Sequence, residues 1–349
     1  MNRSHTVWGP FAAVAMVVAL MAVALAGPAG ARERTSPPLS DHAYDTAEEH
    51  VHTDGIGLAR LDRPVAGGDL GPSFTWSSGD YDGKVFTTDA PDMTVQVGLP
   101  TVHVVYLYPS DAPSRFATYA GFFQGASRSA SAALAHSVGR QIRYDERLGA
   151  DGVTRYLDIS VVKSKNSTKR LQSSNAWSTI KSEIDSLFKN PNKKYLVFVD
   201  AFSTTACGQS QLLYDTQRTS TNVSEGRTVS TVYRVKRDST VADGGWCGRG
   251  TVLHELTHAM GALQTAAPNF SGGHCNDYGN DRMCTASDVK IPYDPTMPIV
   301  YDYGNDDYWD PAADPASGSD AKLGWWTVNL SRFLCATSGC DAPNANPGY

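Results

Sequence analysis

The sequence predicts an α/β (α+β) domain in which helices flank a twisted mixed sheet. Three features carry that expectation. VHVVYLY (102–108) and KYLVFVDAF (194–202) are apolar runs of strand length, as in strands buried on both faces. Segments of helical periodicity lie between and around them. A helix bearing His-Glu-x-x-His follows at residues 254–258.

Taken in order, FTWSSGDYDGKVFTT (74–88) reads as a hairpin turning around Gly79 to Gly83. Ser114 to Val138 reads as a helix, with Phe116, Tyr119, Phe122, Phe123, Ala126 and Ala130 at helical spacing. QIRYDE and RYLDISVV follow as strands. Asn175 to Phe188 is a second helix with Trp177, Ile180, Ile184 and Leu187 on one face. STVYRV, from Ser230, reads as a more exposed strand, either a structural edge or one that an extended ligand joins by strand addition. Thr251 to Met260 reads as the helix that carries His-Glu-x-x-His. A C-terminal helix is expected through Lys322 to Leu334, capped by Asp320 and carrying Leu323, Trp326, Leu330 and Leu334 on one side.

The N-terminal third is different. Arg3 precedes the apolar run Phe11 to Ala26, then Gly27-Pro28 and the small residues Ala29-Gly30-Ala31. That order marks residues 1–31 as a signal peptide and the mature chain as secreted, without stable membrane association after cleavage. Residues 32–97 read as an N-terminal extension and candidate propeptide, and 98–349 as the catalytic domain. The extension holds His42, His50 and His52 but no cysteine, which excludes latency through a thiolate. With a net charge of −6 and no Lys/Arg block, the chain offers no nucleic-acid surface. Six cysteines, all beyond the signal segment, suggest three disulfides, ordered by loop length as Cys207–Cys247, Cys275–Cys284 and Cys335–Cys340.

The chemistry concentrates in HELTHAMGALQ. His254 and His258, four residues apart, project from one helix face at a spacing that suits one Zn²⁺, with Glu255 beside them. Zinc needs a third ligand. Glu255 is the last glutamate and His274 the only histidine after His258. Gly261 is suited to turn the chain sharply, and Ser271-Gly272-Gly273 to bring His274 back toward the metal. Asp277 and Gln264 are the alternative ligands.

These residues resemble the metzincin zinc peptidases, whose signature is His-Glu-x-x-His-x-x-Gly-x-x-His followed by a methionine turn. The match covers His254, Glu255, His258 and Gly261, and departs at Gln264. It is also similar to secreted bacterial homologues with HExxHxxGxxQ, a following Gly-His-Cys and an Asp-x-Met-Cys turn. The resemblance implies a methionine turn at Met283, with Met297 the weaker candidate. The Cys275–Cys284 bridge would then staple the His274 segment to that turn. The expected function is a zinc endopeptidase acting on polypeptides, through a zinc-activated water whose proton passes to Glu255. Tyr278, Tyr293 or Tyr301 would assist at the oxyanion. The alternatives are a zinc amidohydrolase acting on cell-wall material and a catalytically silent, metal-stabilised binding domain. Weaker signals are a Ca²⁺ site from Asp302, Asp306 or Asp307 in the acidic run 301–320, and structural roles for His103 and His136.

Overall fold

The computed structural model describes residues 42–43 and, within 96–340, all but 97, 149–152, 154, 204–205, 213–225, 236–244, 248, 265–266, 285–288, 295–298, 311–326, 330 and 337–339. The expected signal segment, most of the extension, the hairpin at 74–88 and Met297 lie outside the described residues.

In chain order the strands are β1 (His42–Ala43), β2 (Thr101–Tyr108), β3 (Arg140–Ile142), β4 (Glu146–Leu148), β5 (Arg155–Leu157), β6 (Ile159–Lys163), β7 (Lys193–Ser203), β8 (Gly208–Leu212), β9 (Thr228–Val235), β10 (Gly245–Trp246), β11 (Phe270–Ser271), β12 (His274–Cys275) and β13 (Leu334–Ala336). The helices are α1 (Phe116–Val138), α2 (Thr168–Leu171), α3 (Ala176–Leu187) and α4 (Arg249–Ala259).

The main sheet runs β1-β8-β9-β7-β2-β6, with β10 also on β9. β6, β2, β7 and β9 are parallel, while β8 and β10 are antiparallel to β9 and β1 is antiparallel to β8. This is the mixed sheet that the two apolar runs predict. Alternation along β2 explains why both runs are continuous. Val102, Val104 and Tyr106 enter the core shared with α1 and α4, while Val105 and Leu107 enter the core shared with α3. Helices on both sides leave no solvent face on the central strands.

In α1, Phe116, Ala120, Phe123, Ala130 and Leu134 are buried. The helix stops at Gly139, whose φ of 68° is left-handed and whose N–H bonds Ala135 O at 2.9 Å. Phe123 stacks on Phe198 at 4.6 Å and meets Trp246 edge-on at 5.1 Å, locking α1 to β7 and β10.

Two expectations are corrected. STVYRV is an interior strand: β9 lies between β7 and β8, and Thr228 to Arg234 are buried throughout. Cys207 and Cys247 close over it as a disulfide, with Tyr233 N–H donating to Cys207 O at 2.8 Å and Cys247 N–H to Tyr233 O at 3.2 Å. On this side the sheet continues through β8, whose five residues are buried, to the two-residue β1, which among the described residues pairs only with Gln211 and Leu212; β6 ends the order on the other side. The second correction concerns the C-terminal helix, of which residues 322–326 and 330 lie outside the described residues. The described part, from Thr327, consists of turns leading into β13. Leu334, Cys335 and Ala336 pair with Ile142, Gln141 and Arg140 of β3, and Cys335 bonds Cys340. The apolar positions Phe333 and Leu334 are buried by that pairing instead of by a helix face. Among the described residues, no helix is long and apolar enough to cross a membrane.

Candidate metal centre

α4 sits on the sheet because Val252, Leu253, Leu256 and Met260 all belong to the larger core. Ser230 Oγ on β9 donates to the Glu255 carbonyl at 3.3 Å, tying the helix to the central strand. The opposite side carries His254 and His258, one turn apart. Gly261, with φ of 104°, ends the helix, and its N–H bonds His258 O at 2.8 Å. The turn that follows places Ala262 O 2.8 Å from His258 Nδ1. Gln264 is fully buried and its Nε2 donates to Gly261 O at 2.8 Å, so its amide group fastens this turn.

The return of the chain is a two-residue hairpin. Ser271 pairs with His274 across Gly272 and Gly273, whose φ values of 59° and 99° are both in the range that a tight hairpin of this kind requires. This delivers His274 to the other two imidazoles. His274 Nε2 lies 3.2 Å from His254 Nε2 and 3.3 Å from His258 Nε2, and all three residues are buried. His254 Nδ1 faces Arg282 O at 3.0 Å. A carbonyl can only accept, so the Nδ1 atoms of His254 and His258 carry the protons and their Nε2 lone pairs point inward.

Lone pairs at this separation repel unless a cation lies among them. Three imidazoles at about 2.0–2.1 Å from a tetrahedral Zn²⁺ would have their nitrogens about 3.3 Å apart. The observed spacing fits that group. Asp277 is not part of the triad; it gathers with Cys275, Cys284 and Asp307.

Glu255 is fully buried, and burial holds its carboxyl well above the usual range. Its side chain occupies the space over Gly208 of β8. A Cβ built there would lie 2.6 Å from Glu255 Cγ. Met283 is buried, its N–H donates to Asp281 Oδ1 at 2.7 Å and its carbonyl accepts from Cys275 N–H at 3.2 Å. The Cys275–Cys284 bridge joins the same two segments. Tyr301 is buried with its hydroxyl 3.2 Å from Thr257 Oγ1, and burial pushes its phenol up. Tyr278 stacks on Tyr303 at 3.8 Å, and the Tyr293 backbone packs on Gly279. Gly208 and the Arg282 and Ala262 carbonyls had no sequence signal, because each acts through a backbone position set by distant contacts.

A second constellation has the order of a hydrolase triad. Ser160 Oγ is 2.8 Å from His103 Nε2, and His103 Nδ1 is 2.7 Å from Asp145 Oδ2. Ser160, however, is 2% exposed, and Lys193 Nζ also binds Asp145 Oδ2 at 2.8 Å. With its serine shut inside the sheet, this chain of bonds ties β2, β6 and β7 together and meets no substrate.

No family model matches the chain, and no curated protein matches it in sequence. Among solved structures it is similar to wild-type OgpA from Akkermansia muciniphila, at 12% identity and a TM-score of 0.31, over 57% of this chain and 58% of that one. It is also similar to catalytically inactive OgpA in complex with an O-glycopeptide (glycodrosocin) substrate, at 11% identity and a TM-score of 0.27, over 46% of this chain and 48% of that one. The chain thus spans under three fifths of the length of these proteins. Likeness at this level bears on neither the reaction nor the substrate.

Proposed function

We propose that the chain is a secreted zinc-dependent endopeptidase in which His254, His258 and His274 hold one Zn²⁺ and Glu255 is the general base. One observation carries the reading: three buried imidazoles converge through Nε2 at 3.2–3.3 Å while the helix supplying two of them also carries Glu255. When bound, zinc supplies Lewis acidity toward a carbonyl oxygen and acidifies water. The residues of the chain do the rest. The carbonyls of Arg282 and Ala262 hold two imidazoles in the tautomer that leaves Nε2 available. Glu255, buried and raised in pKa, is suited to take a proton from water at its carboxylate and return it to the departing amine. A site built only to bind metal would have no use for that carboxylate.

We place the substrate along β8, the antiparallel strand that contacts Glu255 through Gly208. His42 and Ala43 pair there with Leu212 and Gln211. On this reading the extension, residues 32–97, includes a propeptide whose His42 and Ala43 cover part of the edge until it is released ahead of Gln96, residues 1–31 direct export, and the three disulfides suit an oxidising compartment.

The test is digestion of unfolded casein by purified protein, with and without a chelator, beside Glu255→Gln. Chelator and substitution should each abolish cleavage, and release of the extension ahead of Gln96 should increase it. Gln96 is kept because its Nε2 donates to Glu146 Oε2 at 2.9 Å. Zinc bound at unit stoichiometry without cleavage in any form would make the protein a binding module.

A further inference from the structure

Beside Met283 lies a second group of metal-binding character that the proposed hydrolysis does not use. Asp281, Asp302 and Asp307 are 3%, 7% and 0% exposed, and their carboxylate oxygens approach within 4.8 Å of one another. Asp277 adjoins Asp307 in an overlapping group. Among the described residues, no lysine or arginine pairs with any of the three. Asp281 is well supplied with donors: its Oδ1 accepts from Met283 N–H at 2.7 Å and Tyr308 OH at 2.8 Å, and its Oδ2 from Tyr303 N–H at 2.6 Å. The other two are not. Asp302 Oδ2 accepts the amides of Tyr308 and Trp309 at 2.9 and 2.6 Å, leaving Oδ1 buried without a partner. Asn269 Nδ2 donates to Asp307 Oδ1 at 2.9 Å, and the Asp307 carboxyl also lies against that of Asp277.

We infer that Asp281, Asp302 and Asp307 form a cation site, separate from the imidazole triad, built for Ca²⁺. Burying three carboxylates together without a counter-charge is strongly unfavourable, and Asp302 Oδ1, buried without a hydrogen-bond partner, marks where one is missing. The donors are all hard oxygens, which favours Ca²⁺ over zinc. Oxygens at about 2.3–2.6 Å from a calcium ion stand up to about 5 Å apart, which fits the 4.8 Å limit. Mg²⁺ demands shorter bonds and keeps most of its water, which suits these buried carboxylates poorly. Asp306, which the acidic run had suggested as a ligand, is exposed, and Asp281 from the methionine turn takes its place.

The placement gives the ion a task. Asp281 grips Met283, and the carbonyl of the residue between them, Arg282, orients His254. Calcium at the three aspartates would set the turn from which His254 is positioned.

Tb³⁺ is the probe, because Trp309, whose backbone N–H donates to Asp302 Oδ2 at 2.6 Å, supplies a nearby tryptophan to sensitise the lanthanide. The full chain, stripped with EGTA, is titrated with TbCl₃ under tryptophan excitation. The expected result is saturable emission, displaced by CaCl₂ but not by MgCl₂, with affinity at least about tenfold weaker in Asp302→Asn. The wild-type Tm should also rise in CaCl₂ relative to EGTA, and still rise in His258→Ala, which separates this site from the zinc reading. Absent emission, emission insensitive to Asp302→Asn, or a wild-type Tm indifferent to calcium would overturn the proposal. The last measurement decides it even if the variant fails to fold. A cluster neutralised by shared protons would give that indifference.

Discussion

Gly208 and Glu255 occupy one space: a Cβ built on Gly208 would stand 2.5 Å from Glu255 Oε1 and 2.8 Å from its Cδ. The absent side chain on β8 is what allows the carboxylate of α4 to lie where it does. Gly208→Ala should displace that carboxylate and lower kcat/KM about a hundredfold while zinc content stays unchanged. The check is casein turnover measured beside metal analysis, and an unaltered rate would show that the carboxylate's position is not critical.

Gln264 stands where the resembling family has its third histidine, yet its amide is engaged with the Gly261 carbonyl. Gln264→Ala should therefore cost about 1–3 kcal/mol of stability by stranding a buried acceptor, and leave zinc stoichiometry intact. Urea unfolding with metal analysis separates the roles. Loss of zinc without loss of stability would make Gln264 a ligand.

The Cys275–Cys284 bridge closes a short loop that includes Met283 and begins beside His274. Replacing both cysteines by serine should lower stability by about 2–3 kcal/mol through a less restricted unfolded chain. It should also weaken zinc affinity, because the β12 strand loses its covalent tie to the turn that orients His254. Competition with a chromophoric chelator reads the affinity directly.

Acid sensitivity should trace to Asp145. Burial alone would raise its pKa, but hydrogen bonding and charge from His103 and Lys193 outweigh that and bring it from an ordinary 3.8 to about 2. A folded-state pKa below the unfolded one contributes stability above about pH 4, which is lost as pH falls toward 2. The contribution is about 2 kcal/mol. Wild type should exceed Asp145→Asn by at least that margin at pH 6, and the gap should narrow between pH 4 and 2 in urea titrations. A gap independent of pH would remove Asp145 as the cause.

What the sequence disclosed depended on how local the governing contacts are. Helix pitch alone puts His254 and His258 on one face, and Gly261 with Gly272-Gly273 dictates sharp turns, so the approach of His274 was legible. β2 and β7 were legible because strands covered on both sides are apolar throughout. β9 misled because its burial depends on β8 and β10 folding across it, and nothing within STVYRV records that. The apolar spacing of Leu323, Trp326, Leu330 and Leu334 suggested a helix, but the end of that segment is decided by pairing with Arg140–Ile142, nearly two hundred residues earlier. Asp281 was overlooked as a partner of Asp302 and Asp307 for the same reason. Gly208 was silent because its role is the space it leaves.

The most direct test is zinc-edge X-ray absorption on the purified chain and on His274→Ala. Three imidazole nitrogens at about 2.0–2.1 Å, with no sulfur, and the loss of one nitrogen in the variant, are the expected result. A spectrum unchanged by His274→Ala, or one requiring two imidazoles and a different third donor, would contradict the tripod from which the proposed hydrolysis follows.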